Sequence, residues 1–209
     1  MNSKTLTGIL LIIGPIIFAV TIFAGFPGNS GNEDWVTADY IKEIAANLGL
    51  HKTGTLVELA AIIAMMTGWV FLAQAMNQNG KPGSLLAKVA TILPLICLPI
   101  AVASSGLAMS VAWAIEDNLM TEAGMLWGAA EGMSTTVFNV IGISWILLGI
   151  GIILQKNLHL ILGIFIIIIG AAMFLMNIIG GFLWIPGFLG FLILSLVTGI
   201  LTVINKNVE

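Results

Sequence analysis

Residues His51–Met76 read HKTGTLVELAAIIAMMTGWVFLAQAM, a segment long and apolar enough to cross a lipid bilayer as one helix. Its apolar length carries one carboxylate, Glu58. An ionisable side chain in hydrocarbon costs about 3 kcal/mol on insertion scales, so such groups face a bundle interior or a water-filled cavity. The segment therefore predicts a membrane-spanning helix whose carboxylate is sheltered by neighbouring helices.

The composition of the whole chain agrees with this segment. Of 209 residues, 59% are hydrophobic and 8% are charged, whereas soluble domains carry about 25% charged residues. Long apolar runs between short polar links favour helices, because the strands of a membrane barrel need only about 10 residues each. We expect an all-α, polytopic integral membrane protein that forms one transmembrane domain over residues 1–209.

Six apolar segments are each long enough to cross a bilayer. The third is longer than a straight span needs and contains Pro94 and Pro99, which predict a tilted, kinked or broken helix. The fourth span begins near 132, with helix allowed from near Glu122. The predicted six-helix transmembrane bundle has spans at about 5–26, 52–76, 85–115, 132–154, 158–179 and 183–204.

The outer loop, residues 27–50, is polar at first and then reads WVTADYIKEIAANLGL. Ile41, Ile44 and Leu48 recur there at helical spacing, opposite charged residues such as Lys42. This pattern predicts a short extracytoplasmic amphipathic helix that lies on the membrane face. Two roles stay open for it: a lid over the mouth of the bundle and an interfacial connector.

Lysines are distributed unevenly between the two ends of the predicted bundle. With the N-terminus in the cytoplasm, Lys42 and Lys52 lie outside and the other five of the seven lysines lie inside. The positive-inside rule therefore predicts a multi-pass protein of the cell membrane with its N- and C-termini in the cytoplasm. Most acidic residues fall on the opposite side, which predicts an acidic outer face.

The candidate site begins with three polar residues of the second span. His51, Thr55 and Glu58 are spaced i, i+4 and i+7, so a helix brings the ring, the hydroxyl and the carboxylate onto one face. A sheltered carboxyl that exchanges a proton or a cation is typical of transport sites. We interpret these residues as candidates for binding a substrate or an ion. The alternative is that Glu58 is a hydrogen-bonded packing residue that sets the helix register.

Glu131 is the fourth candidate, at the outer end of the fourth span. Because the second span also begins on the outer side, Glu58 and Glu131 are predicted at similar depth. Paired carboxylates bind cations or share a proton. The alternative is an exposed residue at the start of a helix.

The side-chain inventory argues against several classes of site. All seven basic residues are lysines, so the planar arginine fork that clamps phosphates and carboxylates is absent. Two histidines and one cysteine cannot by themselves build a zinc or iron–sulfur site. A net charge of -3 and no basic patch predict that nucleic acid is not a partner. We expect no cofactor.

Methionine and tryptophan each suggest a role by their positions. Thioethers are soft ligands for Cu(I), but methionine is more often a gap filler in apolar cores. The methionines on the predicted outer side are Met109, Met120, Met125 and Met133. Tryptophans near span ends predict an aromatic belt at the membrane surface. The tryptophans that fall mostly near predicted span ends are Trp69, Trp113, Trp127, Trp145 and Trp184.

These patterns leave three hypotheses for function. The first is an accessory or structural subunit of a larger membrane assembly, whose partners are the lipid bilayer and other membrane subunits or a second copy. The second is a small transporter or channel for a cation or neutral solute that uses Glu58. A membrane-embedded enzyme ranks third, because no nucleophile or metalloprotease motif occurs. Transport predicts a water-accessible cavity reaching Glu58, whereas the subunit hypothesis predicts that packed side chains enclose it.

Overall fold

The structure, a computed structural model, describes residues 3–27, 36–78, 80–156, 158–179 and 181–204, apart from the side chain of Asn177. Residues 28–35 of the predicted outer loop lie outside this described part. It consists of helices joined by short connections and contains no strand. The helices are α1 (Ser3–Phe23), α2 (Thr37–Ala46), α3 (Leu48–Met76), α4 (Ser84–Glu116), α5 (Met120–Gln155), α6 (Leu160–Ile179) and α7 (Trp184–Ile204), and a 3₁₀ turn (Gly181–Leu183) precedes α7.

Six of these helices are apolar along their length. Within the described residues, α1, α3, α4, α5 and α7 are long and apolar enough to cross a membrane. Helix α6 has 20 residues, about 30 Å of helix, although its wholly described apolar part, Leu160–Met176, is shorter than the other five. The predicted all-α membrane bundle is confirmed.

The six apolar helices form a closed ring. Each packs against the next in the order α1, α3, α4, α5, α6 and α7, and α7 returns to α1. Glycines allow the last contact, because a Cβ on Gly8 would lie 2.9 Å from the carbonyl oxygen of Gly199, and one on Gly199 would lie 2.8 Å from that of Gly8. The ring thus surrounds a central volume.

Helices α5 and α6 approach each other through two glycine pairs. A Cβ on Gly142 would lie 2.6 Å from the carbonyl oxygen of Gly170, and one on Gly149 would lie 2.7 Å from that of Gly163. The two pairs are seven residues apart on each helix and run in opposite directions, as an antiparallel contact requires. Small residues at such positions let two helices pack closely in a membrane protein.

Helix α2 packs on protein at one end of the ring, which we call the α2 end. Ile41 and Ile44 are buried beneath it against Val111 and Ile115 of α4 and Trp127 of α5. The predicted apolar face of this helix is confirmed. Its expected position flat on the membrane is not, because the ends of α4 and α5 cover the apolar face.

Helix α5 is longer than the span predicted from 132 to 154. It begins at Met120, and its first turns carry Ala123 and Trp127 into contact with α2. Helix α4 is one continuous α-helix from Ser84 to Glu116 and passes through both prolines, so it is not broken.

Side-chain hydroxyls bind backbone carbonyls between α4 and α5. Pro94 has no N–H group, so the carbonyl of Ala90 loses its helical donor. Ser144 of α5 supplies one, with its hydroxyl 2.9 Å from the Ala90 oxygen. Nearer the α2 end, the Ser104 hydroxyl donates to the carbonyl oxygen of Ala130 at 2.8 Å. Both bonds join α4 to α5, and the Ser144 bond does so where Pro94 has removed a bond within α4.

The half of the ring away from α2 is filled by aromatic side chains. The ring centroids of Trp69 and Trp145 are 4.6 Å apart, and those of Trp145 and Phe191 are 5.0 Å apart. Trp69 also donates from Nε1 to the hydroxyl of Ser195 at 3.0 Å. Both tryptophans are buried. Their predicted place in an aromatic belt is therefore wrong, because inward-facing positions on α3 and α5 put them in the core.

Candidate functional site

The other half of the ring encloses a cavity of about 1000 Å³. All six ring helices and α2 contribute to its wall. The volume lies at the upper end of the range of small-molecule sites, roughly 300–1000 Å³. The cavity is partly open, and its wall at the α2 end includes exposed residues such as Trp184 and Glu131.

The cavity reaches deep into the bundle. Its wall on α3 extends from His51 to Met66, which corresponds to about 22 Å of helix against a hydrocarbon thickness of about 30 Å. The deepest aromatic residues on the wall are Phe138 and Phe191, whose ring centroids are 6.1 Å apart. Beneath them lies the Trp69–Trp145 pair. The cavity therefore begins at the α2 end and is closed below by aromatic packing.

All four site residues proposed from the sequence lie on this wall. His51, Thr55 and Glu58 share one face of α3, as their spacing predicts. Glu131 joins them from α5. The sequence placed these residues together by periodicity and depth, and the ring order of the helices is what brings α3 and α5 to one cavity.

Glu58 lies between α1 and the cavity. The buried Thr21 hydroxyl of α1 donates to the Phe18 carbonyl oxygen at 2.7 Å and is 3.4 Å from Glu58 Oε1. The Glu58 side chain is half-buried and part of the cavity wall. The carboxylate therefore points into the bundle, as an ionisable group in a membrane span requires.

Small residues on either side of Glu58 let α1 and its continuation approach α3. A Cβ on Gly54 would collide with the ring of Phe26, and a Cβ on Gly14 would lie 3.1 Å from the carbonyl oxygen of Ala61. Gly54 and Ala61 therefore allow the neighbouring segment to come close to α3. This contact holds Glu58 against the helix that carries Thr21.

Glu131 lies beside an aromatic pair at the α2 end. Trp127, one turn before it on α5, packs against Tyr40 of α2 with ring centroids 5.9 Å apart and an interplanar angle of 24°. Burial raises the pKa of the Tyr40 hydroxyl, and the negative charges of Glu131 and Glu43 raise it further. The phenol therefore stays protonated at physiological pH and presents a hydrogen-bond donor beside the Glu131 carboxylate.

His51 holds two parts of the chain to α3. Its ring is buried, with Nδ1 3.1 Å from the carbonyl oxygen of Pro27 and Nε2 3.0 Å from that of Ala108. Both partners are acceptors, and the tautomer of the ring decides which nitrogen donates. His51 thus has a positioning role in addition to its place on the wall.

The described part of the cavity wall is acidic. Its carboxylates are Glu58 and Glu131, and no lysine lines it within the described residues. Lys52, on the same helix as Glu58, points elsewhere and pairs with Glu116 at 2.7 Å. The wall therefore attracts positive charge.

Within the described residues, no group of three or more His, Cys, Asp or Glu side chains could hold a metal ion. The four outer methionines do not line the cavity, and Met120 and Met125 are exposed.

Sequence reasoning missed much of the wall. Four buried methionines from α3 and α6 line it: Met65, Met66, Met173 and Met176. The phenylalanines on it are Phe18, Phe26, Phe138, Phe188 and Phe191. In an almost uniformly apolar span, these side chains carry no signal that separates a cavity wall from a packed core.

No protein-family profile, curated protein or solved structure matches this chain. Its function therefore has to be inferred from the chemistry of the cavity.

Proposed function

We propose that this protein is a small membrane transporter that binds a cation or neutral solute in the central cavity, with Glu58 as its protonatable site. The observation that carries the proposal is a cavity of about 1000 Å³ that extends from the α2 end to Glu58 and beyond. Transport predicts such a cavity. An accessory subunit has no need of one, and predicts a carboxylate enclosed by packed side chains.

The shape of the cavity also favours transport. A carrier that works by alternating access exposes its site to one side of the membrane while the other side is closed. Here the half of the ring at the α2 end is hollow, and the Trp69, Trp145 and Phe191 cluster fills the other half. The arrangement corresponds to one end state of such a cycle.

The chemistry of the two carboxylates suggests how transport is driven. A carboxylate can hold a proton or neutralise a cation, and each weakens binding of the other. Glu58 is positioned to make this exchange from the cavity wall, with Thr55 one turn away and Glu131 on the part of the wall that α5 contributes. Proton movement in one direction would then be coupled to solute movement in the other.

We place the α2 end outside the cell, which puts both termini in the cytoplasm. The positive-inside rule supports this orientation, because the α2 end carries only Lys42 and Lys52. The other described lysines belong to the opposite end, and Lys206 lies outside the described residues. In this orientation the cavity faces the exterior, where the acidic end of the bundle attracts cations.

The test is proton exchange in proteoliposomes that contain an internal pH dye and are more acidic inside. Sodium, potassium, choline, tetraethylammonium and methyl viologen are added outside, and we expect at least one to cause alkalinisation of the lumen by the wild-type protein. Glu58→Gln should reduce the rate about tenfold or more, because the amide holds no exchangeable proton. Glu122→Gln, an exposed carboxylate of α5 that is not on the described cavity wall, is the matched control.

Two outcomes would overturn the proposal. One is a wild-type signal equal to that of protein-free liposomes for every added cation. The other is an undiminished rate for Glu58→Gln with a gel-filtration profile like that of the wild type, because the carboxylate would then have no part in transport.

The accessory-subunit hypothesis stays a prediction, as do the partners that it implies. It is tested by purification from native membranes in mild detergent. Another membrane protein that co-purifies in fixed stoichiometry would support it, whereas a lone chain or a simple homo-oligomer would count against it.

A further inference from the structure

We infer that the solute bound in this cavity is an organic cation with a large apolar body. The inference rests on the proposed function and narrows its substrate from cations and neutral solutes in general. Four properties of the wall carry it: the volume, the aromatic rings, the methionines and the sign of the charge.

The volume excludes a bare metal ion as the best-fitting occupant. Calcium takes six to eight oxygen ligands at about 2.3–2.6 Å, and magnesium takes six at shorter distance. A cavity of about 1000 Å³ cannot close around an ion in this way, and no group of three or more acidic, histidine or cysteine ligands occurs in the described residues. The space corresponds to an organic molecule of drug size.

Aromatic rings of α1, α5 and α7 form part of the wall. Phe188 of α7 lies at the centre, with its ring centroid 5.0 Å from that of Trp184, 5.7 Å from Phe18 and 6.2 Å from Phe138. The planes of Trp184 and Phe188 are nearly parallel, at 6°. Aromatic faces attract cations and pack well against planar apolar groups. These rings suit a cation that carries rings or branched hydrocarbon.

Methionines form a further part of the wall. Met65 and Met66 come from α3, and Met173 and Met176 come from α6. Methionine side chains are flexible and polarisable, and they are common on surfaces that bind apolar ligands of varied shape. Met65, Met66 and Met173 are almost completely covered by protein, so these flexible side chains border the cavity from within the core and specify its shape only loosely.

The charge of the wall requires a positive group on the solute. Glu58 and Glu131 are the carboxylates of the described wall, and no described lysine balances them there. The ring nitrogens of His51 face the carbonyl oxygens of Pro27 and Ala108. A cation is attracted to these carboxylates, whereas a neutral molecule gains no such attraction and an anion is repelled.

The test compares two ions of nearly equal shape and opposite charge, tetraphenylphosphonium and tetraphenylborate. Binding of each is measured by calorimetry on the purified chain in lipid nanodiscs, with binding to protein-free nanodiscs subtracted. We expect the phosphonium to bind at least tenfold more tightly than the borate. Glu58→Gln and Glu131→Gln should each weaken phosphonium binding several-fold, and the double variant should remove the preference for positive charge. Glu122→Gln should leave both affinities unchanged.

Equal affinity for the two ions would overturn the inference, and that comparison needs only the wild-type protein. Unchanged phosphonium binding by a well-folded double variant would do the same. The binding assay requires no transport, so the two proposals fail separately. If phosphonium binding depends on the carboxylates but no cation drives proton exchange in proteoliposomes, the inference holds and the transport proposal fails. If sodium drives proton exchange and excess phosphonium does not inhibit it, the transport proposal holds and the inference of an organic cation fails.

Discussion

Glu58, the single carboxylate in the second apolar helix, lies on the wall of the cavity. Glu58 satisfies the physical requirement for such a group, because Thr21 shelters it on one side and the cavity borders it on the other. A cost of about 3 kcal/mol for a charge in hydrocarbon is avoided in this position. The sequence predicted that Glu58 faces inward. Its neighbour Thr21 was not predictable, because nothing in a run of apolar residues shows which turn of α1 meets α3.

Tyr40 allows the charge of Glu131 to be measured, because it is the only tyrosine of the chain. Burial and the nearby carboxylates of Glu131 and Glu43 raise its pKa, so we expect the phenol to ionise above its usual value of about 10. Glu131→Gln should move the midpoint downward, though not to the unperturbed value, because burial is the largest cause. Alkaline titration of the phenolate absorbance in detergent measures the midpoint in the wild type and in the variant.

The sign of the effect on stability follows from the same shift. Folding raises this pKa, so the native state holds the phenol proton more tightly, and the contribution of Tyr40 to stability decreases as pH rises above about 10. Glu122→Gln is the control and should leave the midpoint unchanged. A midpoint that Glu131→Gln does not move would mean that the Glu131 carboxylate is not close to the Tyr40 hydroxyl.

At the scale of elements, the positions of the helices follow from the apolar pattern of the sequence. The contacts between helices do not. The six apolar helices and the amphipathic α2 were all predicted. The start of α5 at Met120 was only partly foreseen, because the segment after Glu116 is too polar for a span. Contact with α2 through Ala123 and Trp127 accompanies these extra turns, and such contact is a tertiary effect that local sequence does not contain.

The junction of α4 and α5 yields a prediction about stability. Ser144→Ala removes the donor that satisfies the Ala90 carbonyl left free by Pro94, and we expect the free energy of unfolding to fall by about 1–3 kcal/mol. Thermal denaturation in detergent provides the measurement. Ser110→Ala is the matched control, because the Ser110 hydroxyl binds the Gly106 carbonyl of its own helix and Ser110 is partly exposed.

A second substitution distinguishes this cause from a general loss of packing. Pro94→Ala restores an N–H group that can bind the Ala90 carbonyl within α4. In that background Ser144→Ala should cost much less than it does alone, as a double-mutant cycle would show. Equal costs in the two backgrounds would mean that Ser144 does not compensate for the proline.

For the whole molecule, the closed ring of six helices explains why one end is hollow and the other is solid. Small residues bring α5 to α6 and α7 to α1, and bulky aromatic side chains fill the half that contains Trp69 and Trp145. The sequence assigned these tryptophans to the membrane surface because they fall near predicted span ends. Their inward direction depends on helix rotation within the ring, which hydropathy does not report.

The proposed orientation is tested with introduced cysteines. Cys97 is buried and is the only native cysteine, so Cys97→Ala gives a background without reactive thiols. In intact cells, a membrane-impermeant maleimide should label Glu122→Cys at the α2 end. It should label Lys81→Cys, in the connection between α3 and α4, only after the membrane is permeabilised. The reverse pattern would place both termini outside.

By itself the sequence determined the class of this protein: apolar helices that cross a membrane, one amphipathic helix, and a carboxylate that has to avoid lipid. These are local properties, set by segment length, helical period and the cost of burying charge. Only the tertiary structure decided that Glu131 shares a cavity with Glu58, that aromatic packing closes this cavity from below, and that α2 rests on α4 and α5. Those features depend on which helix faces meet around the ring, and a uniformly apolar helix does not specify its inner face through its own sequence.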